Sequence, residues 1–321
     1  MKRLSLTVLT AALALMPMLS QAQAFPDKPI TFVVPFAAGT ATDQIARALG
    51  NSITAETRQS VIIDNKAGAS GFIASQNVAK APADGYTVLI TTNTTHAANE
   101  HLFKKLPYDP VKDFAPLTAL GKGGQIMVVN LSFPARSVAE FIALAKKEPG
   151  KYSFGSGSSS SRMAGELLQQ MADIKLLHVP YKSNTLAVTD LLGGQIDMMI
   201  TDTATGLPQV KGGKLRALGM SSASRSPLAP DVPTIAEAGV KGYEMGYWFA
   251  AYAPARTPPA VVKRLNELLV KAAKSESAKT AFYEPTGTEV FTTSPEEMAK
   301  FQAGESQKWG RIVKAAGIEA E

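Results

Sequence analysis

The 321-residue chain contains no cysteine, which excludes disulfides and thiolate metal sites from the outset. Histidine is nearly as scarce, with only His96, His101 and His178. His96, Glu100 and His101 lie close in sequence, but their spacing does not put all three on one helical face, which argues against a metal site. The chain has no G-x-S-x-G elbow, no G-x-x-x-x-G-K-[ST] phosphate loop, no G-x-G-x-x-G and no H-E-x-x-H, so the short signatures of many hydrolases, NTPases and dinucleotide enzymes are missing. After residue 24 no run reaches the ~18 apolar residues of a membrane span. The lysines are dispersed and no stretch interleaves basic with aromatic residues, so nucleic acid is not an expected partner.

What is present begins at the N-terminus. Lys2 and Arg3 precede an almost wholly apolar run from Leu4 to Leu19, and Ala22-Gln23-Ala24 supplies a small-x-small cleavage pattern. Residues 1–24 therefore read as a secretory signal, removed to leave a periplasmic protein beginning at Phe25. The 297 remaining residues suffice for two lobes of ordinary domain size. They carry 31 basic and 27 acidic side chains, a mild positive excess that attracts small anions.

The rest of the chain alternates short β-rich runs with helical stretches. Strands are expected at residues 30–34, 61–63, 87–91, 126–129, 176–179, 197–200, 215–219 and 247–251. Helices are expected at 43–57, 71–80, 138–147, 162–171, 186–192 and from Pro258-Pro259 through Ala273. This alternation predicts α/β layers around largely parallel sheets. Residues 25–124 with 222–321 are assigned to lobe 1 and 125–221 to lobe 2, with a ligand cleft between the lobes and crossing strands as a hinge.

One design occurs twice. Ile30 to Phe36 runs into Ala37-Ala38-Gly39-Thr40-Ala41-Thr42-Asp43, and Tyr152-Ser153-Phe154 runs into Gly155-Ser156-Gly157-Ser158-Ser159-Ser160-Ser161. In each an apolar strand opens through small residues into an amphipathic helix. Small side chains leave backbone N–H groups bare, and a helix N-terminus carries about half a positive charge, so each loop suits an anion without a Lys or Arg. Two such loops facing each other would grip a carboxylate from both sides.

The chain also resembles the periplasmic solute-binding proteins of tripartite tricarboxylate transporters, the Bug proteins. The resemblance is carried by Val34-Pro35-Phe36-Ala37-Ala38-Gly39, Thr42-Asp43, Asp84-Gly85-Tyr86, Leu106 through Phe114, His178-Val179-Pro180-Tyr181-Lys182, Asp190 through Asp197 and Asp231 through Gly239, in order along the chain. It implies a Venus-flytrap fold that closes on a small organic carboxylate, such as a dicarboxylate, and delivers it to membrane permease subunits by transient contact. It further implies a ligand carboxylate held by Ala38, Gly39, Thr40 and Asp43 from one lobe and Ser156, Gly157, Ser158 and Ser159 from the other. One departure is Thr40-Ala41, where the family often has glycines. A monomer without a cofactor is expected.

Other candidates follow from position. Phe36 ends the first strand run, and Asn93 and Thr94, Tyr181, and Asp202 each follow the end of a predicted strand, where α/β folds place ligand-contacting loops. Arg162 sits in the first turn of the second loop's helix, a costly place for a cation unless an anion is near. It either reaches a second ligand carboxylate or pairs with Glu166. Asp43 either caps its helix or accepts from the ligand. Tyr247-Trp248-Phe249 reads as core strand, with an apolar wall of the cleft as its alternative. The rival function is a secreted hydrolase of small carboxylate esters, using Ser158 with His96.

Overall fold

The structure, a computed structural model, describes residues 25–315 and 317–320; the expected signal segment, 1–24, lies outside them. The strands are β1 (Ile30–Val34), β2 (Val61–Asn65), β3 (Thr87–Thr92), β4 (Phe114–Asn130), β5 (Ser153–Ser156), β6 (Leu177–Pro180), β7 (Met198–Asp202), β8 (Leu215–Met220) and β9 (Gly246–Pro254). The helices are α1 (Ala41–Thr57), α2 (Phe72–Ala79), α3 (Asn99–Leu102), α4 (Val138–Lys147), α5 (Ser159–Ala172), α6 (Asn184–Leu192), α7 (Thr203–Lys211) and α8 (Pro259–Ala273), with a long C-terminal helix over Pro295–Ala315.

Local sequence explains most of these elements. β1 is a continuous β-branched and aromatic run, Ile-Thr-Phe-Val-Val, with parallel neighbours on both sides, as a buried strand of an α/β sheet should be. In α1 the buried Ile45, Ala46, Leu49 and Ile53 recur at helical spacing, and Arg58 ends the helix in the left-handed conformation. α5 starts with a reciprocal capping box between Ser158 and Ser161.

The strands run β2-β1-β3-β9-β4-β7-β5-β6, and β8 also pairs with β4. β4 belongs to two sheets. Its first part, Phe114 to Gly124, pairs antiparallel with β9, and its last part, from Gln125, pairs antiparallel with β7 and β8. Only Ile126 to Val129 was expected as strand, so the crossing element is far longer than its most apolar stretch. Gly123 leaves room for the Tyr247 ring, since a Cβ there would lie 2.5 Å from the Tyr247 hydroxyl.

The result is the expected two-lobed α/β architecture. One apolar cluster packs α1 and α8 on one face of the first sheet, around Ile45, Leu49, Phe249 and Leu268. A second lies around Ile126, Leu191 and Met199. The largest spans both, from Val33 and Leu89 through Met127 to Phe154, Leu168 and Trp309. Among the described residues no helix is long and apolar enough to cross a membrane.

Candidate functional site

Five strands of the two sheets end toward one place. β1 leads to Phe36 and Thr40, β3 to Asn93, β5 to Gly157 and Ser158, β6 to Asn184 and β7 to Asp202, and all of these line a cavity of about 40 Å³. That is room for about three water molecules. Helices α1, α5, α6 and α7 present their N-termini there, so their dipoles add a positive potential.

Three of the four helix starts are capped by their own side chains. Ser158 accepts from Ser161 N–H, Ser183 from Leu186 N–H and Asp202 from Thr205 N–H. The fourth is different: Thr40, the N-cap of α1, makes no side-chain cap, and its hydroxyl donates instead to the Ala37 carbonyl at 2.8 Å. The first turn of α1 lines the cavity at Ala41 and Thr42.

Asp202 is the one charged side chain in the lining, and its oxygens are engaged. Oδ1 accepts from the Thr205 N–H and hydroxyl at 2.9 and 2.8 Å, and Oδ2 from Asn184 Nδ2 at 3.0 Å. Tyr247 bonds Thr203 and Thr288 through its hydroxyl, each at 2.9 Å. Burial pushes its pKa up to about 12, so it stays a neutral phenol. Uncapped helix N–H groups, hydroxyls and amides with no cation suit a carboxylate held by dipoles.

An adjoining groove of about 430 Å³ shares Phe36, Gly157 and Ser158 with the cavity and adds Ser156, Ser159, Arg162, His178, Tyr181 and Lys182. Ser156 Oγ lies 2.7 Å from His178 Nε2. Arg162 Nε lies 3.8 Å from Glu166, whose pKa is raised, chiefly by burial. Ser159 donates across to Asn99 Oδ1 at 2.8 Å, and the Tyr181 hydroxyl donates to Asp190 at 2.8 Å.

Of the residues singled out in the sequence, Phe36, Thr40, Asn93, Gly157, Ser158 and Asp202 come together in the cavity, while Ser156, Ser159, Arg162 and Tyr181 line the groove. Ala38 and Gly39 are exposed and lie outside both linings. Thr94 is buried behind Asn93, its N–H donating to Thr92 Oγ1 at 3.2 Å.

Asp43 takes the capping reading, accepting a backbone N–H at the start of its own helix. It is 2% exposed and accepts from Gly39 N–H at 2.9 Å, Asn65 Nδ2 at 3.0 Å and Arg47 through both oxygens at 3.0 and 2.9 Å. Burial alone would raise its pKa, but these donors, Arg47 foremost, hold it below the usual value. It clamps the first loop to β2.

Sequence reasoning missed Gln125 and Asn184, and Tyr247 and Phe249 were read first as core. They are both buried and lining, because alternate residues of β9 share a face, whereas Trp248 points the other way to Glu305. The proposed Ser158–His96 pair does not form. Ser158 Oγ meets Ser160 and Ser161, and His96 Nδ1 lies 2.8 Å from Thr95 Oγ1.

Comparison with known proteins places the chain in a family. Residues 45–318 match the model of the tripartite tricarboxylate transporter family receptor. Protein BugT of Bordetella pertussis is 33% identical, over 93% of this chain and 92% of its own length. Among solved structures, R. palustris Rpa4515 with adipate has a TM-score of 0.89 at 35% identity, covering 92% of this chain and 100% of that one. MatC (Rpa3494) from Rhodopseudomonas palustris with bound malate has a TM-score of 0.85 at 30% identity, covering 90% and 100%. The chain therefore belongs to the tripartite tricarboxylate transporter receptor family, the Bug-type solute-binding proteins.

Proposed function

We propose that the protein captures a small organic carboxylate, a dicarboxylate or a related acid, in the cavity between its lobes and delivers it to a tripartite tricarboxylate transporter. The observation that carries this reading is the side-chain-uncapped N-terminus of α1 opening onto a cavity that α5, α6 and α7 also face. Such a site stabilises an anion by N–H donors and dipoles and leaves the ligand free to depart. The adipate bound by Rpa4515 and the malate bound by MatC support the same ligand chemistry.

The lobes are taken as residues 25–124 with 222–321, and 125–221, hinged where β4 changes sheets. Residues 1–24 are the export signal, cleaved before Phe25, and the working protein is periplasmic and monomeric. The ligand enters as the lobes part, and closure then excludes water. The closed form is the one presented to the permease subunits.

A thermal-shift screen of organic acids tests the reading. A bound acid at a hundred times its dissociation constant adds about 2.7 kcal/mol of stability, a clear rise in Tm. If no mono-, di- or tricarboxylate shifts Tm while simple esters are turned over, the hydrolase reading replaces this one.

A further inference from the structure

Asn93 and Gln125 enter the cavity lining from the two sheets where those sheets meet. Asn93 Nδ2 donates to the Gly246 carbonyl at 3.2 Å, and Gly246 pairs with Gly124, the residue before Gln125. Both side chains are buried, Asn93 at 0% and Gln125 at 1% exposure. Only the amide nitrogen can donate to a carbonyl, so the bond to Gly246 fixes which end of Asn93 is which. Its Oδ1 has no hydrogen-bond partner, and neither has Gln125 Oε1.

Folded proteins seldom leave a buried carbonyl oxygen unpaired. Two at one ligand cavity mark a place where a donor is missing. The nearby groups do not supply it: the Tyr247 hydroxyl is engaged with Thr203 and Thr288, and Asn184 Nδ2 with Asp202. A carboxylate is acceptor-only and cannot supply it either, whereas a ligand hydroxyl or ammonium can, displacing water from the two oxygens.

Resting on the carboxylate reading above, we propose that the ligand carries a hydrogen-bond donor beside its bound carboxylate, as a hydroxy acid or amino acid does, and that Asn93 Oδ1 and Gln125 Oε1 select it. An acid without the donor closes the lobes over two unpaired acceptors, and a site built to pair a hydroxyl rejects the analogue that lacks it.

The test is calorimetry with matched acids that differ only in that substituent: succinate, malate and aspartate, and propionate, lactate and alanine. In the set that binds, a substituted acid should bind at least tenfold tighter than its parent, and the hydroxy and amino arms tell which donor is used. Parent acids binding as tightly as both substituted ones overturn the inference while the receptor reading stands. Failure of every acid at millimolar concentration, with no response to other carboxylates, removes both.

Gln125→Met keeps the length of the side chain and deletes the acceptor. It should shrink the substituent's advantage at least threefold without lowering the Tm of the ligand-free protein. A folded variant with the full advantage overturns the role of Gln125. If the variant does not fold, the wild-type comparison decides alone.

Discussion

Gly157 has the least freedom to change of the residues around the cavity. A Cβ there would lie 1.9 Å from the Ser183 carbonyl carbon and 2.1 Å from the Asn184 nitrogen, so the β5 loop and the start of α6 meet backbone to backbone. The contact is fixed by hydrogen bonds, Gly157 N–H donating to Asn184 Oδ1 at 3.0 Å and to Ser161 Oγ at 3.2 Å. Gly157→Ala must push α6 away, at a cost of about 1–3 kcal/mol or more for overpacking, and must move Asn184 out of the cavity wall. Gly39 is the natural comparison, because its φ is +81° but nothing lies within 4 Å of a built Cβ. Gly39→Ala should cost only the left-handed backbone penalty, about 1–2 kcal/mol. Melting curves and calorimetry should rank Gly157→Ala as the more damaging to both stability and affinity; the reverse order would show that the β5 loop tolerates movement and is not what shapes the site.

At the scale of elements, the site is a set of helix starts held in register by braces outside it. Asp43 is such a brace, tying the Gly39 turn to Arg47 on α1 and Asn65 at the end of β2. Asp43→Ala removes the acceptor of the Gly39 N–H and of Arg47 and leaves the Asn65 amide only its bond to the Phe36 carbonyl, and should lower stability by about 1–3 kcal/mol. Affinity should fall for all acids alike, since both Asp43 oxygens are engaged by Gly39, Asn65 and Arg47. A changed order of preference among acids, read by the same thermal shifts, would return Asp43 to direct contact. The same elements show what was legible in advance. β1 with α1 and β5 with α5 announce themselves through an apolar run, small residues and helical spacing, all local signals. The first half of β4 does not, because Pro116, Gly121, Gly123 and Gly124 dilute its β pattern, and it is a strand only because β9 pairs with it through two register shifts. The C-terminal helix, with few buried residues along its length, carries no strong local signal either. In the site, Gln125 is placed by pairing with Asp202 and Asn184 by a contact with Gly157, 27 residues away. Such long-range contacts leave no short-range mark.

For the whole molecule, the lobes share one apolar cluster, so a defect in that cluster is felt as global stability. His96 stands against it. Its ring stacks on Tyr252 with 3.9 Å between centroids and meets Phe114 edge-on at 4.7 Å, and its Nδ1 bonds Thr95 at 2.8 Å. Tyr252 and Tyr108, the titratable rings beside it, are both shifted upward by burial and stay neutral, so no carboxylate is there to welcome a proton. Burial lowers the His96 pKa from 6.5 to about 3. The unfolded chain therefore binds this proton where the folded one does not. Stability from this source is nearly complete at pH 7 and is lost progressively as pH falls toward 3, with a slope approaching 1.36 kcal/mol per pH unit, or about 2 kcal/mol between pH 7 and 5. His96→Phe keeps an aromatic ring in the stack and removes the titration, at the cost of the Thr95 bond. Its absolute stability at pH 7 will differ from that of the native protein, so the slope is the quantity to compare. Denaturant unfolding at pH 7, 6 and 5 should show the native protein losing about 2 kcal/mol more than the variant over that range. Parallel pH profiles would mean that His96 titrates alike in both states, which its burial among neutral rings does not permit.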